Sequence, residues 1–228
     1  MVKTISSLQN PFIKQLIQLK EKSKLRKQTG LFIIEGKREL SLAIKGNYTI
    51  ETLYYYVDLF SASEAASLEI YGIDIIEITK TVYEKVAHRG TTEGIVAVAK
   101  AKDFDLNNLK FNSETPLILV AEAPEKPGNI GALLRTAEAA NVDAIIISNP
   151  LTDLYNPNII RSSVGGIFTV SIATGSSEDI ITYLKKQNIF IYAATLQDSV
   201  EYDSVNYKKA TALIVGAESV GLSSIWRD

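Results

Sequence analysis

The chain has 228 residues, 46% hydrophobic, 22% charged and 8% aromatic, the profile of a globular protein long enough to bury roughly 70% of its unfolded surface without a covalent staple. It has no cysteine and one histidine, His88, which excludes thiol nucleophiles, zinc knuckles, iron–sulfur clusters and disulfide scaffolds, and argues against a metal site or a Ser-His-Asp triad. The net charge of −2 hides an asymmetry: residues 1–45 carry +7 and the remainder −9, so one end is suited to meet a polyanion, although a solvated helix face is the commoner reason for a charge run.

Asn10-Pro11 predicts a helix start, with a side-chain cap followed by a residue that needs no donor. Phe12, Ile13, Leu16, Ile17 and Leu19 continue it as an apolar stripe, and the basic run Lys20, Lys22, Lys24, Arg26 and Lys27 follows. Residues 31–34 read as a short buried strand, 37–45 as a helix stopped by Gly46, and 50–57 as a tyrosine-rich strand. A helix over 64–71, a strand over 74–78, a helix capped by Thr79 and a strand over 94–99 complete a small α/β domain, residues 1–100. The polar stretch 101–115 predicts a linker, and 116–228 a second domain.

In that second domain the strands are nearly continuous apolar runs: 117–120, 144–147, 169–172, 189–193 and 213–215. Runs apolar on both faces and separated by helices predict a parallel sheet covered on both sides. Asn129, Asn156-Pro157 and Ser177-Glu178-Asp179 are the predicted helix starts between them. Ligands of open sheets bind beyond the carboxyl ends of the strands, which points to the loops after Ala121, Ser148, Ala193 and Val215. No apolar run approaches the roughly 20 residues that cross a bilayer, and residues 1–10 lack the apolar core of a signal peptide, so the sequence reads as cytoplasmic, with no membrane partner.

Two glycine-bearing loops stand at the sheet edge. Pro124 to Gly131 runs into the helix carrying Arg135, and fits either an anion cradle or an ordinary strand-to-helix turn. Gly216 and Gly221 have P-loop separation, but Leu222 stands where the phosphate-binding lysine is required, so nucleotide hydrolysis is rejected. Between them Arg161 and Ser163 are candidates for phosphate or substrate contact beside Gly165-Gly166, whose glycines are better explained structurally. His88 reads as a solvated loop residue, and the tyrosines as sheet packing before base stacking.

Asn129-x-Gly131-x-x-x-Arg135-Thr136-Ala137 resembles motif 1 of the SpoU (TrmH-type) family of RNA 2′-O-ribose methyltransferases in the SPOUT superfamily, and Gly216-x-Glu218-x-x-Gly221-Leu222 resembles its motif 2. Arg161 to Phe168 is similar to the segment between those motifs. Ile5 to Lys14, Phe32 to Arg38 and Thr92 to Val98 resemble the family's N-terminal substrate-binding domain, so the likeness spans nearly the whole chain.

The resemblance implies an S-adenosylmethionine-dependent enzyme that methylates a ribose 2′-hydroxyl of RNA, ribosomal RNA being favoured over transfer RNA. It also implies a trefoil-knotted parallel sheet and a homodimer with the cofactor near the interface; knots are exceptions to the usual rules of chain connection. By the same resemblance Asn129, Arg135 and Glu218 are the catalytic candidates, and Leu196, Gly216, Ala217 and Gly221 the cofactor contacts. Lys14, Lys22, Lys24, Arg26, Lys27, Lys37, Arg38 and Arg161 are the RNA-binding candidates. The family role of Arg135 is general base, but a guanidinium with a pKa above about 12 acts more cheaply by stabilising the developing alkoxide or gripping phosphate. Family members continue past motif 2 into a third motif that supplies cofactor contacts and completes the knot. This chain stops at Asp228, which predicts a truncated record of a longer enzyme or, in the alternative reading, a non-catalytic RNA-binding or dimerisation protein on the same scaffold.

Overall fold

Asn10 accepts a hydrogen bond from the Phe12 amide at 2.9 Å and Pro11 opens the first helix, as the sequence predicts. In the computed structural model, which describes residues 3–88, 93–197 and 199–227, the chain divides into two units. Met1–Lys102 together with Asp153–Arg161 form the first, and Asp103–Thr152 together with Ser162–Asp228 the second.

The first unit contains β1 (Lys3–Ile5), α1 (Pro11–Glu21), α2 (Ser23–Thr29), β2 (Leu31–Glu35), α3 (Lys37–Lys45), β3 (Ile50–Tyr55), α4 (Ala62–Ser67), β4 (Asp74–Ile78), α5 (Lys80–Val86) and β5 (Ile95–Lys100). Its sheet has the order β1-β4-β3-β5-β2, with β1 and β3 parallel to β4, and β5 antiparallel to β3 and β2. Ile13, Leu16 and Leu19 of the predicted stripe are buried against Ile33, Tyr83 and Val96, whereas Phe12 is exposed under the Lys3 ammonium. The basic run ends α1 and forms α2, which Gly30 stops at φ 65°. The predicted helix over 64–71 is split: α4 has its capping box at Ser61 and Glu64, and a tighter turn over Leu68–Tyr71 ends at Gly72 with φ 71°.

The second unit contains β6 (Leu117–Glu122), α6 (Pro127–Ala139), β7 (Ala144–Ser148), the last residue of α7 (Pro157–Ser162), α8 (Gly166–Thr169), β8 (Ile172–Gly175), α9 (Ser177–Lys186), β9 (Phe190–Ala193) and β10 (Thr211–Val215). Its sheet is parallel throughout, in the order β8-β7-β6-β10-β9. Ile118, Val120, Ile146, Ala212 and Ile214 fill its core with Ile180 and Leu184 of α9. Three predicted boundaries move. The strand predicted over 169–172 lies at Ile172–Gly175, because Gly165 at φ 94° starts α8, which runs to Thr169. Helix α6 begins at Pro127, which puts Asn129 inside its first turn rather than before it. Ser176, one residue before the predicted cap, accepts the Asp179 amide at 3.1 Å and starts α9. Among the described residues no helix is long and apolar enough to cross a membrane, and no group of acidic or histidine side chains could hold a metal ion.

Candidate active site

From the central strand β6 the chain builds outward through β7 to β8, while β10 and β9 lie on the other side. The strand order therefore reverses between β6 and β10, and in open parallel sheets ligands bind at the carboxyl ends beside such a switch. A cavity of about 300 Å3 lies there, lined by Pro124, Glu125, Lys126 and Asn129 from the β6–α6 loop and helix start, and by Gly216, Ala217 and Glu218 after β10. Ala132, Leu133 and Thr136 of α6 give it a partly apolar wall.

The glycines here answer to packing. A Cβ on Gly216 would lie 2.2 Å from the carbonyl carbon of Gly221, so only glycine lets the loop fold back on itself. Ala217 and Gly221 exchange backbone hydrogen bonds at 3.2 and 2.9 Å, and Gly221 sits at φ 71°. A Cβ on Gly131 would lie 2.0 Å from Ser162 Oγ, which fixes how α6 packs. Two exposed clasps join the loops across the cavity: Lys126 Nζ to Glu218 Oε2 at 3.4 Å, and Ser219 Oγ donating to Glu125 Oε1 at 3.2 Å. Exposed contacts of this kind are worth under about 1 kcal/mol, so an entering ligand can open them.

Beneath the loops is a buried polar hub that composition and motif reading pass over. Glu122, the last residue of β6, is 6% exposed. Its Oε1 accepts from Ser223 Oγ at 2.6 Å and Ser177 Oγ at 3.0 Å, and its Oε2 from the Ser223 amide at 2.8 Å. Ser177 and Ser148 share a further bond at 2.8 Å. Burial pushes the Glu122 carboxyl up, but the Ser223 and Ser177 bonds outweigh it and hold the group below the usual carboxylate range. The Trp226 indole N–H adds a weaker pull on the same carboxylate from outside hydrogen-bond geometry. One carboxylate thus ties the segment that follows the glycine loop to the end of β6 and the start of α9. A terminal Glu on an otherwise apolar strand is the signal that would have singled it out.

Of the predicted catalytic residues, Asn129 and Glu218 line the cavity, and Arg135 does not. Arg135 is exposed on α6, with no hydrogen bond or ion pair among the described residues, and Glu218 pairs with Lys126 instead. Of the predicted cofactor contacts, Gly216 and Ala217 line the cavity, while Gly221 closes the loop behind them and Leu196 stands 94% exposed.

Among the basic candidates Lys14, Lys22, Lys24 and Lys27 are exposed. Arg26 is not an RNA contact: it is 4% exposed, its Nε donates to Asp153 at 2.6 Å, and its Nη1 donates to the Leu19 carbonyl at 2.6 Å. The burial of α2 on α1 turns this member of the run inward. Lys37 is bonded to Glu64 at 2.8 Å and lies over the Phe60 ring, while Arg38 and Arg161 line one pocket of the first unit. Ser163 is fully buried and is not available to substrate. Residues 89–92 after His88, the start of the Thr92 to Val98 likeness among them, lie outside the described residues.

The SpoU rRNA Methylase family model matches residues 116–228, and the MRM3-like substrate binding domain model matches residues 10–97. A solved RNA 2′-O ribose methyltransferase is 31% identical, with a TM-score of 0.80, over 98% of this chain and 85% of that one. This chain belongs to the SpoU methylase family. The solved AdoMet-bound rRNA methyltransferase of Sinorhizobium meliloti is 28% identical, with a TM-score of 0.87, over 97% of this chain and 84% of that one. The 23S rRNA (guanosine(2553)-2′-O)-methyltransferase of Bacillus subtilis is 26% identical over 98% of this chain and 86% of its own length.

Proposed function

We propose that this SpoU protein transfers the methyl group of S-adenosylmethionine to a ribose 2′-hydroxyl of ribosomal RNA. The observation that carries the reading is the cavity at the β6–β10 switch, lined by residues of motifs 1 and 2 in a chain of this family. The residues fit the cofactor: Gly216 lets the loop fold back on Gly221 at the cavity wall, and Glu125 and Glu218 offer carboxylates to a ligand carrying an ammonium and a sulfonium. At about 300 Å3 the cavity lies at the lower end of the range for small-molecule sites. When bound, the cofactor supplies an electrophilic methyl group.

The chain's own part is to hold that ligand, orient the ribose and stabilise the oxygen as its proton passes to solvent. Asn129, on the first turn of α6 and lining the cavity, is assigned to hold the hydroxyl. Arg135, exposed on α6 beside the cavity lining and without a partner among the described residues, is assigned the developing alkoxide or the adjoining phosphate, because a guanidinium stays protonated and has no lone pair to accept a proton. Glu218 and Lys126 close the loops over the ligand. The finer family properties, a trefoil-knotted sheet, a homodimer and a cytoplasmic location, are part of this proposal. The exposed apolar side chains of Leu196, Val200, Tyr202 and Val220, the last in the cavity loop, support a covering partner surface.

Calorimetric titration tests the assignment. The protein should take up one equivalent of S-adenosylmethionine, and Gly216→Ala should lose at least about tenfold in affinity because the Cβ meets backbone. Arg135→Ala should bind the cofactor as the parent does while its methyl transfer falls by about 100-fold or more. Unchanged transfer in that variant contradicts the role given to Arg135, and no cofactor uptake by the parent contradicts the function.

A further inference from the structure

A larger pocket, about 500 Å3, lies in the first unit and is used by nothing described so far. Ile33 of β2 and Ile160 of α7, both buried, form its floor, and Arg38 and Arg161 stand at its rim. Three carboxylates, Glu35, Glu39 and Glu93, line it, and two of them converge. Gly36 at φ 99° carries no Cβ, and the position a Cβ would take is 3.0 Å from Glu39 Oε2 and 3.3 Å from Glu93 Oε2. The buried Glu39 is paired with Arg38, Glu93 accepts the Lys37 amide, and Glu35 accepts the His88 amide at 2.7 Å. The backbone thus fixes two of the three carboxylates in place. The set does not make a metal site among the described residues.

Carboxylates only accept hydrogen bonds, so converging carboxylates select a ligand edge made of donors. Among RNA bases only guanine presents adjacent N1–H and N2–H donors on its Watson–Crick edge; uracil, adenine and cytosine place acceptors beside their donors. An arginine at the rim suits the guanine O6 or a backbone phosphate, and an apolar floor suits the base plane. Sequence-specific RNA recognition works on such splayed-out, unpaired bases. We propose that this pocket is a subsite for an unpaired guanine of the RNA substrate, set by Glu39 and Glu93 over Gly36 with Arg38 and Arg161 at the rim. The inference rests on the reading of the protein as an RNA methyltransferase.

The test uses the full chain and the RNA pentamers UUGUU, UUAUU and UUUUU, with 5′-GMP and S-adenosylmethionine titrated alongside. UUGUU should bind about tenfold or more tightly than the other pentamers and than 5′-GMP. In Glu93→Gln, an exposed site where the fold should persist, that preference should shrink to under about twofold, because an amide donor then faces the base edge. In Arg161→Ala all pentamers should weaken together. Equal affinities for the three pentamers, an unaltered preference in Glu93→Gln, or 5′-GMP bound as tightly as UUGUU would each overturn the subsite. Cofactor uptake separates the two failures: retained uptake without guanine preference sinks this inference alone, and absent uptake sinks the function on which it rests.

Discussion

Glu122 carries more of the candidate site than any residue of the two motifs, because its three hydrogen bonds from Ser177 and Ser223 hold the segment after the glycine loop. Glu122→Gln keeps an acceptor for the Ser223 amide but makes the Ser223 and Ser177 hydroxyls turn to accept from its amide, so charge-assisted hydrogen bonds become neutral ones, which should cost about 1 kcal/mol of stability. The carboxyl is held below its ordinary value of 4.5, so the stabilisation is fully present above that pH and is lost as pH falls through the lower folded value. Urea midpoints measured from neutral pH down to 3 should therefore show an acid decline in the parent and a lower, flatter profile in the variant. Identical profiles would show that the hub is not ionised. Sequence reading passed over this residue because its partners lie 55 and 101 positions away, although a Glu ending an apolar strand was a signal. Asn129, Gly216 and Glu218 were legible through the resemblance of their segments to the two family motifs, since spacing alone left each loop as either a ligand cradle or a tight turn. The same limit explains Arg26: a basic run predicts a charged face, and only the fold shows which member turns inward.

At the scale of elements, caps and glycine stops predicted most helices, and apolar runs predicted the parallel strands. Boundaries failed where backbone geometry decided them, as at Gly165, whose left-handed φ starts α8, a helix that runs to Thr169 and pushes the predicted strand onward. The assignment of Asp153–Arg161 to the first unit was not legible either, since the segment is held by long-range contacts such as the Arg26–Asp153 pair and the stacking of Tyr155 on Phe32. Arg26 and Asp153 are 4% and 7% exposed at their side chains, so removing one leaves the other buried and unpaired. Arg26→Ala should lower the stability of the first unit by about 3–5 kcal/mol, and the double change Arg26→Met with Asp153→Leu should recover most of it. Denaturant unfolding followed by the tyrosine-rich first unit checks this; a loss under about 1 kcal/mol would mean that the pair is no anchor.

For the molecule as a whole, the split between a +7 N-terminal stretch and a −9 remainder is a statement about partners. With Arg26 set aside, Lys22, Lys24 and Lys27 are the exposed part of that run, and replacing all three by Gln should weaken RNA binding and lower the salt slope by about 2. An unchanged slope would move the RNA path to another face. The central claim, that this SpoU chain methylates ribose at the β6–β10 switch, is tested most directly by labelled methyl transfer. Unmodified ribosomal RNA is incubated with the protein and methyl-labelled S-adenosylmethionine, and then digested to nucleosides. The account predicts label in a 2′-O-methylnucleoside that survives alkaline hydrolysis, and its loss in Arg135→Ala; label on a base, or saturable cofactor binding with no transfer to RNA, would contradict it.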